Sequence, residues 1–330
     1  MQDDTGSKKQ GGLRARLARV AQALSGSGKK QEERPAAAQG PPVAQATGLR
    51  SLRRTPGGLV IATPENLAEL LAQPRPPPRV WWEKAEMELC LVPSGEFLMG
   101  SADTDRDAGD DEKPRHQVYL DAFYVGRYPV TQAQYARFVQ ATGHRVPFLW
   151  GDWAQPYNWD RARKAPPGDR LDHPVVMVGW DDAAAFCRWA GLRLPTEAEW
   201  EKAARGTDGR IYPWGNTWDA GKCSAEQGKG GTTPVGAYSP AGDSPNGCAD
   251  VAGNVWERVS DWYSDAYYRN SPARNPQGPD SGPIRALRGA AFTDLQRSVR
   301  CAARHRHNPL NWHDDVGFRV VVAPGSPSGL

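Results

Sequence analysis

Leu192-Arg193-Leu194-Pro195-Thr196-Glu197-Ala198-Glu199-Trp200-Glu201 is the stretch on which the fold of this chain turns. Pro195 closes off any preceding helix, and Thr196 followed three residues later by Glu199 has the form of a capping box. The hydroxyl accepts a backbone N–H while the carboxylate reaches back to the N-cap amide. The pattern predicts a helix over Glu197–Ala204. Two more helices are expected, over Gln132–Ala141 behind Thr131 and over Asp181–Ala190. Short strands are expected at Leu89–Pro93 and Glu96–Gly100, around a Ser94-Gly95 turn, and at His116–Tyr124. Others follow at Trp256–Trp262, Ile284–Arg288, Arg297–Ala303 and Val316–Val322. Thirteen Trp, 35 Gly and 29 Pro among 330 residues mean that large rings, not long regular elements, fill the interior. A long helical bundle is excluded, and the class is α+β.

Outward from this centre the composition changes. Residues 1–80 hold 13 Lys/Arg against 6 Asp/Glu, so a balance of +7 there leaves −4 for the rest of a chain whose total is +3. Residues 1–60 carry too little apolar surface to offset ordering entropy. We therefore expect a disordered basic, Pro-rich tail and linker over 1–80, ending at Pro74–Pro78, a domain over 81–324, and a flexible 325–330. A short helix is expected at Glu65–Ala72, behind Pro64.

In the tail, Leu13, Leu17, Val20 and Leu24 share one helical face flanked by Arg14, Arg16 and Arg19, which suits an anionic partner or a membrane surface. A dozen residues is marginal for an isolated helix, so a solvated tail is the other reading. No run of about 18 apolar residues occurs, and the N-terminus is charged where a secretory signal is apolar. No sequence-specific nucleic-acid motif is present. Five cysteines, Cys90, Cys187, Cys223, Cys248 and Cys301, form an odd set without a close CxxC pair. Neither a zinc site nor a disulfide framework is indicated, and free thiols fit a reducing, cytoplasmic setting.

Seven colinear segments carry a resemblance. They are Leu91-Val92-Pro93-Ser94-Gly95-Glu96-Phe97-Leu98-Met99-Gly100-Ser101, Tyr128-Pro129-Val130-Thr131, His173-Pro174-Val175-Val176 leading to Trp180, the stretch quoted first, Tyr212-Pro213-Trp214-Gly215, Gly253-Asn254-Val255-Trp256-Glu257, and Gly317-Phe318-Arg319. Over about residues 87–322 the chain resembles the formylglycine-generating-enzyme, or sulfatase-modifying-factor, family. The resemblance implies a loop-rich C-type-lectin-like fold.

It also sets expectations for the site. Aerobic members of the family hold copper through two cysteines, soft ligands suited to Cu(I), whereas Arg288–Arg297 contains no sulfur. Iron-dependent members need three histidines that include an N-terminal half-site, and His116 is the first histidine here. Neither copper nor iron is expected. Cys187 and Cys301 resemble family cysteines that are bridged in secreted members; their partner positions hold Val320 and Ala204, which implies free, buried thiols. Asn254 and Glu257, with the backbone carbonyls of Ala252 and Val255, resemble a family calcium site of hard oxygen ligands, so Ca2+ is the candidate cofactor. An Asn turn beside a buried Glu is the other reading of these residues.

The candidate ligand-binding residues are Phe292, Thr293, Asp294, Leu295, Gln296, His305, His307, Asn308, Leu310, Asn311, Trp312, His313 and Asp314. His-x-His on a strand puts both rings on one face, with Asp314 available to complete a metal set. A solvated polar loop and ligand recognition without metal are the alternatives. This place also resembles the variable region of diversity-generating retroelement proteins, which ends at a similar Gly-Phe-Arg. The expected function is a non-catalytic binding module for an unknown ligand, with a protein among the candidates. The alternative is an oxygen- and metal-dependent enzyme that modifies a protein or metabolite.

Overall fold

Helix formation follows the caps. In the computed structural model, which describes residues 52–226 and 230–324, Thr196 Oγ1 accepts the Glu199 N–H at 3.1 Å and Glu199 accepts the Thr196 N–H at 2.8 Å. Among the described residues there are four helices: α1 Leu67–Leu71, α2 Gln132–Thr142, α3 Trp180–Ala190 and α4 Glu197–Arg205. A second capping box, Thr131 with Gln134, starts α2, and Gly143 ends it at φ 73°, a left-handed geometry that glycine adopts without strain. The basic tail, its Leu13–Leu24 stretch and residues 325–330 lie outside the described residues.

Among the described residues the strands form three sheets. Five strands run in the order β1 Val60–Ala62, β2 Arg79–Trp82, β3 Met87–Val92, β6 Phe123–Gly126, β11 Val321–Val322. Four run in the order β10 Val316–Phe318, β7 Trp256–Trp262, β8 Arg285–Arg288, β9 Arg304–His307. β4 Gly95–Met99 pairs with β5 His116–Leu120 alone. One core packs α2 and α3 with the first sheet around Tyr135, Phe138, Phe186 and Phe318, whose rings meet edge-on or stacked. A second core gathers Trp200, Ala203 and Ala204 of α4 with Phe97, Val118 and Val259.

Several sequence expectations need correction. The fold reaches back past residue 81, because Val60 and Ala62 are buried and β1 pairs in parallel register with β2, Val60 opposite Val80. A three-residue strand is stabilised by its neighbour and leaves no periodic signal of its own. The expected helix at Glu65–Ala72 is confined to α1. The strands flanking Ser94-Gly95 do not pair with each other, and β4 departs to a different sheet.

His116–Tyr124 divides into β5 and the start of β6, and Val316–Val322 divides into β10 and β11 in two sheets. Arg297–Ala303 is not a strand. Arg300 turns inward there, its Nε donating to the Arg297 carbonyl at 2.9 Å and its Nη atoms clasping Glu112 at 2.7 and 2.8 Å. The strand begins instead at Arg304.

Candidate functional site

β9 lies at the edge of its sheet and puts His305 and His307 on one face, since side chains alternate along a strand. The His305 ring lies 4.9 Å from that of Trp256, and the His307 ring 4.4 Å from that of His313, edge-on. Burial holds the His305 and His307 imidazoles below their ordinary range, which favours neutral rings at pH 7.

The loop that follows is pinned through its backbone. Carbonyls of Pro309, His313 and Asp315 accept N–H groups of Trp180, Met177 and Trp256 at 2.8–2.9 Å. The Asn311 carbonyl accepts from Arg258 Nη2 at 2.6 Å. The Arg145 guanidinium lies 4.3 Å over the Trp312 ring and is itself paired with Asp182. Trp312 Nε1 stands 2.9 Å from where a Cβ on Gly179 would sit, so a larger residue there would displace the indole. Backbone fixed and side chains outward, the loop presents Leu310, 68% exposed, and Trp312, 39% exposed.

Carboxylates lie beneath it. Burial first, then the neighbouring Asp314 and Asp294, pushes Asp315 up to about 6. Burial also raises Asp314. Asp294 accepts the Ala291 N–H at 2.8 Å and turns its own loop. Asp314 and Asp315 make no ion pair among the described residues. Acceptor oxygens, neutral imidazoles and aromatic faces suit a ligand held by hydrogen bonds and stacking.

Not every expected residue reaches this face. Phe292 is buried, 5% exposed, and supports its loop by donating its N–H to the Asn254 carbonyl. Gln296 turns away to the Tyr212 hydroxyl at 3.0 Å. Thr293, Leu295, Asn308 and Asn311 are exposed. Sequence reasoning missed Arg145, and treated Trp256 as core packing only.

Asn254 and Glu257 are both fully enclosed. Asn254, at φ 67°, accepts the Thr233 N–H and donates to the Thr233 carbonyl. Glu257 receives Arg319 Nε at 2.5 Å, Arg319 Nη2 at 2.6 Å and Trp200 Nε1 at 2.7 Å. As arranged here the pair does not fit calcium. The guanidinium already neutralises the only charged member of the expected set, and a dication would stand against it. The Asn turn beside a buried Glu is what forms, with Arg319 rather than backbone as the partner of Glu257.

All five cysteines are free and buried, Cys187 and Cys301 among them. No helix among the described residues is long and apolar enough to cross a membrane. Clefts of about 570 Å³ and 350 Å³ open elsewhere, the larger beside Arg193, Glu199 and Asp121, the smaller beside Arg106 and Arg300. Neither is lined by the candidate residues.

Comparison with known proteins agrees with this architecture. A sulfatase-modifying factor enzyme 1-like domain matches residues 81–324, and the chain belongs to that family. The formylglycine-generating enzyme of Streptomyces coelicolor is 37% identical over 318 residues, covering 82% of this chain and 99% of that protein. PvdO from Pseudomonas aeruginosa aligns in structure with a TM-score of 0.64 at 25% identity, over 74% of this chain and 97% of PvdO. Treponema denticola variable protein 1 shares the fold at a TM-score of 0.57 and 23% identity, over 73% and 95% of the two chains.

Proposed function

We propose that this chain is a ligand-binding module that displays a C-terminal recognition surface on a formylglycine-generating-enzyme-type scaffold. One observation carries the reading. Where the resemblance places a copper-binding cysteine pair, this chain has a sulfur-free loop around Phe292–Gln296, while all five of its thiols are buried. The loop and β9 instead gather histidines, carboxylates and an exposed indole on a pinned backbone. The shared fold of Treponema denticola variable protein 1 supports the narrower possibility of a retroelement-diversified surface. A near-repeat of the 3′ coding end in neighbouring DNA is its test.

A modifying enzyme is the second reading, favoured by the identity to the Streptomyces enzyme. The two separate in one assay. Purified protein receives Cu(I), oxygen and a sulfatase-type cysteine peptide, and the peptide is weighed by mass spectrometry. The expected result is unchanged cysteine, and formylglycine in the product would replace the binding reading with the enzymatic one.

A further inference from the structure

The smaller cleft, of about 350 Å³, is lined by four arginines, Arg106, Arg115, Arg205 and Arg300, and a single carboxylate, Asp105. The floor is fixed. Arg205 gives its donors to Glu201 at 2.6 Å and to the carbonyls of Leu98, Gly100, Gly209 and Arg210. Arg300 gives its own to both oxygens of Glu112 and, at 3.2 Å, to Asp105. Both are buried, so neither can swing to meet a partner.

The rim differs. Arg106 and Arg115 are exposed and make no ion pair or side-chain hydrogen bond among the described residues. Beside them Asn216 Oδ1 accepts the Ile211 N–H at 3.0 Å, which leaves its NH2 uncommitted. Glu201 and Glu112 neutralise Arg205 and Arg300, so the unpaired positive charge of the cleft is that of the two rim guanidiniums, Arg106 and Arg115. Two exposed, unpaired forks above a fixed, ion-paired floor are suited to clasp an oxyanion through paired N–H···O bonds. The volume falls in the range of small-molecule sites, and a phosphate ester carries close to two negative charges at pH 7.

We propose that this cleft binds a phosphate group, held by Arg106 and Arg115 above the Arg205–Arg300 floor. The group is either free or borne on a small organic molecule, and the size of the cleft favours the second. The proposal is independent of the recognition face around His305–Asp314.

Isothermal titration of the full chain at low salt with inorganic phosphate and, separately, ribose 5-phosphate tests it. Saturable binding is expected, tighter for the ester. Arg106→Gln and Arg115→Gln should each weaken it by about tenfold, a change of about 1.4 kcal/mol. Both substitutions remove unpaired side chains and should leave the melting curve in place. Arg161→Gln, a remote arginine that stacks on Phe148, should leave binding unchanged. Equal affinity for the two probes would assign the cleft to free phosphate. Absence of saturation with either, or an equal loss in the Arg161 variant, would overturn the proposal.

Discussion

Helix α4 and the loop that follows β9 are both rich in charge, and they use it in opposite ways. Every residue of α4 is buried, including Glu197, Glu199, Glu201, Lys202 and Arg205. Its carboxylates are all answered by arginines: Glu197 by Arg304 and Arg288, Glu199 by the nearby Arg193, and Glu201 by Arg205 of the same helix and by Arg288. In the loop after β9, Asp314, Asp315 and His313 carry comparable chemistry with no ion pair among the described residues. The contrast teaches where this fold keeps adaptable groups. Charge that fixes the architecture is desolvated and matched, and charge available to a ligand is left half-exposed on a backbone held by hydrogen bonds.

The sharpest way to break that comparison is Glu201→Ala. Glu201 is wholly enclosed between Arg205 at 2.6 Å and Arg288 at 2.6 Å, and it also accepts the Gly100 N–H at 2.7 Å. Removing it leaves two buried guanidiniums without their shared anion, which should cost about 3–5 kcal/mol. Denaturant unfolding measures it. A loss under about 1 kcal/mol, the size of a surface ion pair, would mean that the network is not the framework described here.

That network also marks the limit of what the sequence made legible. The caps and apolar spacing of α2, α3 and α4 depend on residues three or four apart, so those helices were readable to within a residue or two. The distant partners of Glu197 and Glu201 were not, because Arg288 and Arg304 lie some ninety to a hundred residues away along the chain. Arg300 misled in the same way: local alternation suggested a strand, and a long-range pair with Glu112 turned the backbone inward. At the candidate face, the motif His305-Arg306-His307 shows two rings on one side if it is a strand, but the expected strand ended at Ala303, whereas β9 runs over Arg304–His307. The contact of Trp312 with Arg145 and the burial of Phe292 depend on tertiary packing that no local pattern encodes.

A smaller effect should come from Asp261, beside the N-terminus of α4. It accepts the Glu197 N–H at 2.9 Å and the Ser260 hydroxyl at 3.1 Å, and burial, followed by the nearby Glu197, pushes its carboxyl up to about 8. The fold therefore favours the neutral form. With a folded value above the unfolded one, this group's contribution is complete below about pH 4 and is lost as pH rises toward 8. Asp261→Asn retains an acceptor and cannot ionise, so it should melt higher than the parent at pH 8, with the gap shrinking toward pH 5. A gap that is constant with pH would show that Asp261 does not titrate across this window, and the pairing of charge around α4 would then be less complete than argued.

The smallest effects are expected on the other side of the comparison, and they decide whether the His305–Asp314 face is a display surface or part of the frame. His305→Ala, His307→Ala, Trp312→Ala, His313→Ala and Asp314→Ala each cut a side chain that is partly exposed, while the loop's backbone bonds to Trp180, Met177, Trp256 and Arg258 remain. Surface positions without a special role usually change stability by less than about 0.5 kcal/mol, and the ring contacts of His305, His307 and Trp312 should raise the ceiling to about 1 kcal/mol. Equilibrium unfolding of the five variants, with elemental analysis of each, measures this directly. A loss of several kcal/mol in one variant would move that side chain into the frame with α4. Loss of a stoichiometric transition metal in the three histidine variants would do more, because a closed metal site couples its ligands to folding. Uniformly small changes would leave these side chains as the part of the molecule that can vary without disturbing the fold, which is what a recognition surface requires.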